Sequence, residues 1–457
     1  MKFATLEDRR VAVWGYGREG RAALGALLRH LPGQPLTLFC RAAEVADDTL
    51  PAGVQVCTDA PDADALAAFD YVIKSPGISI YKPEVIAAQA RGTVFTSGTA
   101  LWFGENPDAR VIGITGTKGK STTAAITAHV ARALGVRTAL AGNIGLPLLE
   151  LEGQQADLWI VELSSFQTGE AGPLTVGVVL NLYEEHLDWH GSRERYFSDK
   201  LKLAAAAHTL VVDAGHDELL ARTASHPARH LFDAPDGWHL HGNDLCRVHD
   251  VIVPALTTHL HVPGTHNARN ACATLTALEA ANAFDEQHAR TAAQALDNFN
   301  PLPHRLQYLG ERNGVRWIND SISTTPAASR AALESFRGQP VTLILGGHDR
   351  GLDWTDFARF AAGWPDLHLI TQGANGARIA TALREHAANI PLAETDNLES
   401  AIKQARQLTR RNGLVILSPG APSFDQFKAY TERGCRFADL AGFDGTALGT
   451  ISGLGIH

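Results

Sequence analysis

The chain of 457 residues has no run approaching the roughly 18 consecutive apolar residues that a membrane helix needs. Its first ten residues, Met1 to Arg10, lack the apolar core of a signal peptide. The five cysteines, Cys40, Cys57, Cys246, Cys272 and Cys435, show no paired or metal-type spacing. Neither a disulfide framework nor a cysteine-held metal is expected, and a reducing cytoplasm fits. Basic excess is missing as well. A net charge of -9 speaks against nucleic acid as the main partner, though a local basic loop can still hold a small anion. No internal repeat, coiled coil or low-complexity tract is present. What remains is 45% apolar and 19% charged, the composition of a soluble enzyme. It is too long for one core, and about three domains are expected.

Up to about residue 108, short apolar strands at 10–14, 36–39 and 71–74 alternate with Ala/Leu-rich helical stretches. That rhythm belongs to a parallel sheet covered by helices. Glu105-Asn106-Pro107-Asp108 reads as a boundary. A second segment carries buried strands at 157–163 and 175–180, and the polar, His-rich stretch Ala224–Asp250 reads as a surface excursion. Asn298–Pro303 holds two prolines and reads as a second linker. Strands at 315–319, 341–345, 367–371 and 413–417 follow. The expected fold class is α/β in three domains. Residues 1–108 form a Rossmann-like N-terminal domain, 109–300 a central P-loop ATPase domain, and 301–457 a Rossmann-like C-terminal domain.

Chemistry concentrates first at Ile112–Thr123, where an apolar strand runs into Gly116-Thr117-Lys118-Gly119-Lys120-Ser121 and then a helix opening at Thr122. Glycines let backbone N–H groups face phosphate oxygens. Lys120 can reach the β/γ-phosphates and the Ser121 hydroxyl can ligate Mg²⁺. The full spacing would need glycine where Ile114 stands, so the loop is a shortened form.

A second glycine turn, Gly15-Tyr16-Gly17-Arg18-Glu19-Gly20, follows the first strand. An NAD site would want an acid near positions 38–41, which read Leu-Phe-Cys-Arg. Another diphosphate, or a purely structural tight turn, fits better. Ser75-Pro76-Gly77 ends another strand and can line the same crevice. Glu162, in Glu162-Leu-Ser-Ser-Phe-Gln167, is placed either to bind Mg²⁺ or to cap the next helix. Glu184-Glu185-His186-Leu187-Asp188 suits a second metal and the substrate. On spacing alone, Lys200 reads as a solvated lysine.

Taken together, Gly116–Ser121, Glu162–Gln167, His186, Lys200, His266-Asn267 with Asn270, His304-Arg305 and Asp320 resemble the Mur ligases of peptidoglycan synthesis, over essentially the whole chain. Gly15–Gly20, Ser75–Gly77, Trp317–Ser321 and Ser423–Lys428 point to the glutamate-adding branch. The resemblance implies that ATP phosphorylates the carboxylate of UDP-N-acetylmuramoyl-L-alanine, and that the glutamate amine then attacks the acyl phosphate. It implies two Mg²⁺ ions, held by Ser121, Glu162, His186 and a carbamylated Lys200. The nucleotide would be held by Gly116 to Thr122 (Gly116, Thr117, Lys118, Gly119, Lys120, Ser121, Thr122), Asn270, Arg305 and Asp320. Gly15, Tyr16, Gly17, Arg18, Arg41, Ser75, Gly77 and Asn143 would serve the UDP-substrate. Thr324, Arg350, Ser423, Phe424 and Tyr430 would serve glutamate. A cytoplasmic monomer without nucleic-acid or membrane partners is implied.

Departures from the family pattern gather where glutamate should sit. Arg350 stands in a Gly-Gly-x-x-Lys turn, Ile322 replaces a lysine, and Pro422 enters a Ser-Pro-Ala-x-Ala-Ser loop. Tyr430 stands for Phe, and Lys118 for the P-loop Asn. Arginine imposes a bidentate geometry on a carboxylate, and Pro422 removes a backbone donor. These changes suit L-glutamate, with drift in a D-glutamate enzyme as the alternative. Rival readings are a folylpolyglutamate-type or other Mur ligase, a dehydrogenase, and a nucleotide-gated binding module without chemistry.

Overall fold

The computed structural model describes residues 1–45, 50, 53–256, 264–300, 302–448 and 453–457. Pro301, inside the expected Asn298–Pro303 linker, lies outside them. The described chain separates into two compact units. One comprises Met1–Leu256, Ala268–Leu296 and Gly453–His457, and the other chiefly the chain from Asp297 onward. Among the described residues, no helix is long and apolar enough to cross a membrane.

The first unit holds two parallel sheets. One orders β3-β2-β1-β4-β5, from β1 (Val11–Trp14), β2 (Leu36–Phe39), β3 (Val54–Cys57), β4 (Tyr71–Lys74) and β5 (Val94–Thr96). Strand order reverses between β1 and β4, and the C-terminal ends there open the crevice where such sheets bind ligands. The Gly15–Gly20 and Ser75–Gly77 turns leave those two strands.

The second sheet orders β11-β10-β9-β6-β8-β7, from β6 (Val111–Thr115), β7 (Thr138–Gly142), β8 (Leu158–Glu162), β9 (Leu174–Val179), β10 (Ala207–Asp213) and β11 (Arg229–Phe232). Gly455–Ile456 adds an antiparallel edge to β7. β6 and β8 are buried at every position, which is why they read as unbroken apolar runs. Trp102 packs against Trp159 with ring centroids 4.6 Å apart. Both sheets contribute to one apolar cluster, from Leu38 through Leu149 to Val161, and the first sheet has a second cluster of its own around Ala12, Trp14, Phe39 and Val72.

The stretch Ala224–Asp250 is more than the surface excursion its polarity suggests. It supplies β11 and most of an antiparallel sheet of β12 (Trp238–His241), β13 (Asp244–Arg247) and β14 (Asp250–Val253). Trp238 is 1% exposed and Leu245 fully buried. Histidines interleaved with apolar residues, as in Trp238-His239-Leu240-His241, are a period-2 strand pattern.

In the second unit, β15 (Gln307–Arg312) and β16 (Val315–Asn319) are joined at Asn313-Gly314, both at positive φ (56° and 76°), a two-residue hairpin turn. With β17 (Val341–Leu345), β18 (Leu367–Thr371), β19 (Leu392–Glu394) and β20 (Leu414–Leu417), the sheet orders β15-β16-β20-β17-β18-β19. Parallel neighbours β16, β20 and β17 therefore release three loops side by side: Asp320–Ser323, Ser418–Ser423 and Gly346–Arg350.

Candidate active site

β6 delivers the chain into Gly116–Gly119. Gly116 has φ 155° and Gly119 φ 85°. A Cβ at Gly116 would lie 2.9 Å from the Leu180 Cβ, and one at Gly119 3.0 Å from Asn270 Oδ1. Shape and dihedral both demand glycine. The helix Lys120–Ala133 starts at Gly119 without a side-chain cap, so its first-turn N–H groups face outward for an anion.

Residues outside the motif lock this turn. Asn181 takes Lys118 N–H on its side chain at 2.9 Å and Thr117 N–H on its carbonyl at 3.2 Å. Thr117 Oγ1 donates to Tyr183 O at 3.0 Å, accepts from Tyr183 N at 2.9 Å, and lies 3.0 Å from the Tyr196 hydroxyl.

Three lysines meet here. Lys120 Nζ donates to Gly116 O at 2.9 Å and Thr117 O at 3.1 Å. Lys200 Nζ donates to the same Gly116 O at 3.0 Å. Lys118 pairs with Glu185 at 2.7 Å; burial alone would raise the Glu185 carboxyl, but this lysine holds it below its usual range. Lys200 is 1% exposed, so the solvated reading does not hold. Burial, with Lys120 nearby, keeps its amine well below the ordinary lysine range.

Glu162, at the end of β8, is 1% exposed. Asn143 Nδ2 donates to its Oε1 at 2.9 Å, while Oε2 is buried without any hydrogen-bond partner. An orphaned carboxylate oxygen beside a phosphate loop suits a hard cation. His186 adopts φ 55° ahead of the helical turn Leu187–His190. Its ring is half exposed, with Nε2 3.8 Å from Glu185. Partial burial lowers its pKa, which favours the neutral, ligating imidazole. Ser121 and Asn270 are buried and Thr122 half-buried around the loop. Glu162, with its unpartnered oxygen, is the group here that suits a metal beside a triphosphate; among the described residues no three His, Cys, Asp or Glu side chains cluster as a metal site by themselves.

At the β1/β4 crevice, Gly15 has φ 93°, and a Cβ there would fall 2.7 Å from Ser75 Oγ. Ser75 Oγ donates to Gly15 O at 3.2 Å, clasping the two turns. A Cβ at Gly20 would sit 1.8 Å from Gly15 O, so the glycine spacing serves close packing at the least. Tyr16 is buried under Arg21, whose guanidinium lies 4.1 Å from its ring. Gly17, Gly77 and Arg41 are exposed. Arg18 Nη1 lies 3.4 Å from Gly145 O, next to the Asn143 loop.

Sequence reasoning missed a buried network around Asp199, directly before Lys200. Its carboxylate accepts from the Tyr81 hydroxyl on both oxygens at 2.8 Å and from Lys202 at 2.7 Å. His190 Nδ1 lies 2.7 Å from it and His190 Nε2 2.9 Å from Ser165 Oγ. Trp189 Nε1 donates to Pro76 O at 3.2 Å. The network ties the Ser75–Gly77 turn and the Glu162–Gln167 strand end to the helix that carries Lys200.

In the second unit, Asp320 is 5% exposed and its oxygens are used internally. Oδ2 accepts from Ser418 at 2.7 Å and from Ser323, and Oδ1 from Leu306 N–H at 3.1 Å. Burial pushes its carboxyl up to about 6. Arg305 is half-buried. His304, at φ 62°, lies 3.0 Å from Asn319 Nδ2. Among the residues expected for glutamate, Ser423 is buried with an unpartnered hydroxyl. Phe424 is 68% exposed, Arg350 and Tyr430 are exposed, and Thr324 is half-buried. Ser321 Oγ donates to Tyr430 O at 2.8 Å, and His348 N–H to Pro422 O at 2.9 Å. These contacts join the loops without a direct contact between Arg350 and Ser423.

Residues 114–278 match the family described as Mur ligase middle domain, and residues 304–421 the Mur ligase glutamate ligase domain. A protein of Xanthomonas oryzae pv. oryzae is 48% identical over 481 residues, covering all of both chains. The chain belongs to the Mur ligase family. That relative is named UDP-N-acetylmuramoyl-L-alanine–L-glutamate ligase. The same name is carried by a Xylella fastidiosa protein, 45% identical over the full length of both chains, and by a Micromonospora protein, 34% identical over 96% of this chain and 98% of that one. Among solved structures, the alanine ligase MurC of Thermotoga maritima matches with a TM-score of 0.60 at 17% identity, over 94% of this chain and 98% of that one. MurF of the same organism, in complex with ADP, matches with 0.58 at 15% identity, over 95% of each chain. This Mur ligase has their three-domain α/β fold, and it is an enzyme that forms amide bonds at the expense of ATP.

Proposed function

We propose that this Mur ligase joins L-glutamate to UDP-N-acetylmuramoyl-L-alanine in the cytoplasmic stage of peptidoglycan synthesis, as a monomer, releasing ADP and phosphate. The observation that carries the chemistry is the Glu162 Oε2, buried and unpartnered beside the Gly116–Ser121 turn. The handedness of glutamate is supported by the names of the three relatives and by Ile322, Arg350 and Pro422 in the loops after β16, β17 and β20.

The roles of the residues follow from what they offer. N–H groups of Gly116 to Thr122 cradle the β- and γ-phosphates at the helix start, and Lys120 exchanges the Gly116 and Thr117 carbonyls for phosphate oxygens. The substrate carboxylate attacks the γ-phosphorus, and the bond from phosphorus to the leaving ADP oxygen breaks. The glutamate nitrogen then attacks the acyl carbon, losing a proton, and inorganic phosphate departs. Positioning and charge neutralisation dominate such transfers. Two Mg²⁺ ions, held by Ser121 and Glu162 and by His186 and Lys200, would supply the neutralisation. Lys200 fits its part because its buried amine favours the neutral form. Its Nζ can add to the carbon of CO₂ and lose one proton, becoming a carbamate. Gly15, Tyr16, Gly17, Arg18, Arg41, Ser75, Gly77 and Asn143 are assigned to the UDP-substrate, and Asn270, Arg305 and Asp320 to ATP.

Incubation with ATP, UDP-N-acetylmuramoyl-L-alanine and either glutamate enantiomer tests this directly. Phosphate release with L-glutamate is expected. Release with D-glutamate alone would overturn the stereochemical part, and release with neither would overturn the ligase assignment.

A further inference from the structure

The interior of the second unit contains a cation that no carboxylate pairs with directly; Asp425 and Asp320 act on it only through space. Arg433, on the helix Tyr430–Ala441, is 1% exposed. Nε donates to Ser321 Oγ at 3.0 Å, and Nη2 to Ser321 O at 2.7 Å and Ala421 O at 3.0 Å. Nη1 is buried with no hydrogen-bond partner, and among the described residues no carboxylate lies within ion-pair distance of the guanidinium. Buried guanidinium groups are ordinarily paired, because desolvating the charge is costly.

Nη1 has a definite neighbour. It lies 3.0 Å from where a Gly347 Cβ would stand, and Pro422 O lies 2.3 Å from the same point. Position 347 is glycine because the arginine and the Pro422 carbonyl leave no room for a side chain. One guanidinium therefore underlies all three loops released by β16, β17 and β20. Ser423, on one of them, holds a second unpartnered buried polar atom.

We propose that Arg433 is a positioning residue for the amino-acid subsite, clamping the Ser321 and Ala421 loops beneath the Gly346–Gly347 turn and supplying the buried positive charge that selects an acidic amino acid. The inference rests on the glutamate reading given above. Arg433 need not touch the substrate. It sets the spacing of the loops and biases the potential between them toward a carboxylate, while Arg350 stands exposed on the β17 loop.

The test measures KM for L-glutamate, ATP and the UDP-substrate separately in Arg433→Lys and Arg433→Met. The wild-type protein must first release phosphate with glutamate; if it does not, the functional reading fails independently of this one. A lysine keeps the charge but loses the fork, so KM for glutamate should rise about 10-fold, as expected for one lost charge-assisted hydrogen bond. With methionine the rise should reach on the order of 100-fold, and the preference for glutamate over glutamine should narrow. KM for ATP and for the UDP-substrate should stay within about 2-fold, a split that general destabilisation would not produce. An unchanged glutamate KM, or an equal rise in all three constants, overturns the proposal. If neither variant folds, as judged by thermal melting, Ser321→Ala decides by the same criterion. It removes one bond to the guanidinium, so a selective rise in glutamate KM supports the proposal and its absence overturns it.

Discussion

Asp199→Asn probes how firmly the Lys200 helix is held. The Asp199 carboxylate is buried and collects the Tyr81 hydroxyl, His190 Nδ1 and Lys202 Nζ at 2.7–2.8 Å. Hydrogen bonds to a charged group contribute about 1.5–3 kcal/mol each where they are buried. The Lys202 bond is discounted, because that side chain is 47% exposed and solvent screens it. Asparagine keeps one acceptor oxygen and turns an N–H₂ toward groups that were donating, so roughly 3 kcal/mol should be lost, about one full charged bond plus part of a second. For a unit of this size that is a fall in Tm of about 6–12 °C, measured by differential scanning calorimetry of the full chain. Lys202→Ala should cost less than about 1 kcal/mol. The reasoning is refuted if Asp199→Asn lowers Tm by no more than Lys202→Ala does. ATP-dependent phosphate release should fall as well, because the next residue on the helix is Lys200.

Glu162→Gln keeps the Asn143 contact but neutralises the orphaned oxygen; phosphate release should drop on the order of 1,000-fold, while binding of a fluorescent ADP without Mg²⁺ stays unchanged, and a drop below about tenfold would remove Glu162 from the metal set. Asp320 titrates near 6 in the folded chain because burial raises it, against about 4 in an unfolded one. Its stabilising, protonated form is present below pH 4 and lost as pH rises through 6, costing about 3 kcal/mol at pH 8. Asp320→Asn should therefore raise the melting temperature of the second unit at pH 8 more than at pH 4.5, and an equal effect at both pH values would contradict this origin. Gly434→Ala would place a Cβ 2.1 Å from His304 Nδ1, so a loss of about 2 kcal/mol or more is expected from overpacking, read as urea-midpoint displacement.

The parallel sheets were legible because their strands are buried on both faces and read as apolar runs; Val111–Thr115 and Val341–Leu345 need no context. The Gly116–Ser121 turn was legible because phosphate cradles demand glycine and lysine at fixed spacing. Lys200 was not. Nothing in Ser-Asp-Lys-Leu-Lys-Leu distinguishes a lysine whose neighbours bury it from one in solvent, and only the resemblance to other Mur ligases pointed inward. The β12–β14 sheet was hidden for the opposite reason: His239 and His241 lowered the apparent hydrophobicity of the strand that buries Trp238, and the strand that buries Leu245 is only four residues long and flanked by charges.

Asp199 and Arg433 share the reason for which both escaped a reading by motif. Each is a charged residue in the middle or first turns of a helix, where charged side chains are ordinarily solvated. Each becomes buried because partners from other parts of its unit converge on it: Tyr81 and His190 on Asp199, Ser321 and Ala421 on Arg433. Periodicity records which face of a helix is apolar, and it carries no record of a polar side chain whose hydrogen bonds are supplied by other loops. Asp199 holds the phosphate side, with three donors around one carboxylate. Arg433 holds the loops after β16, β17 and β20 with a donor left over. A fully satisfied anion fixes one geometry, whereas a cation with a free N–H keeps its surroundings electrostatically incomplete until a negative group is near. The difference in glutamate KM between Arg433→Lys, which keeps the charge, and Arg433→Met, which does not, is therefore the measurement that separates a fixed scaffold from a charge-selecting one.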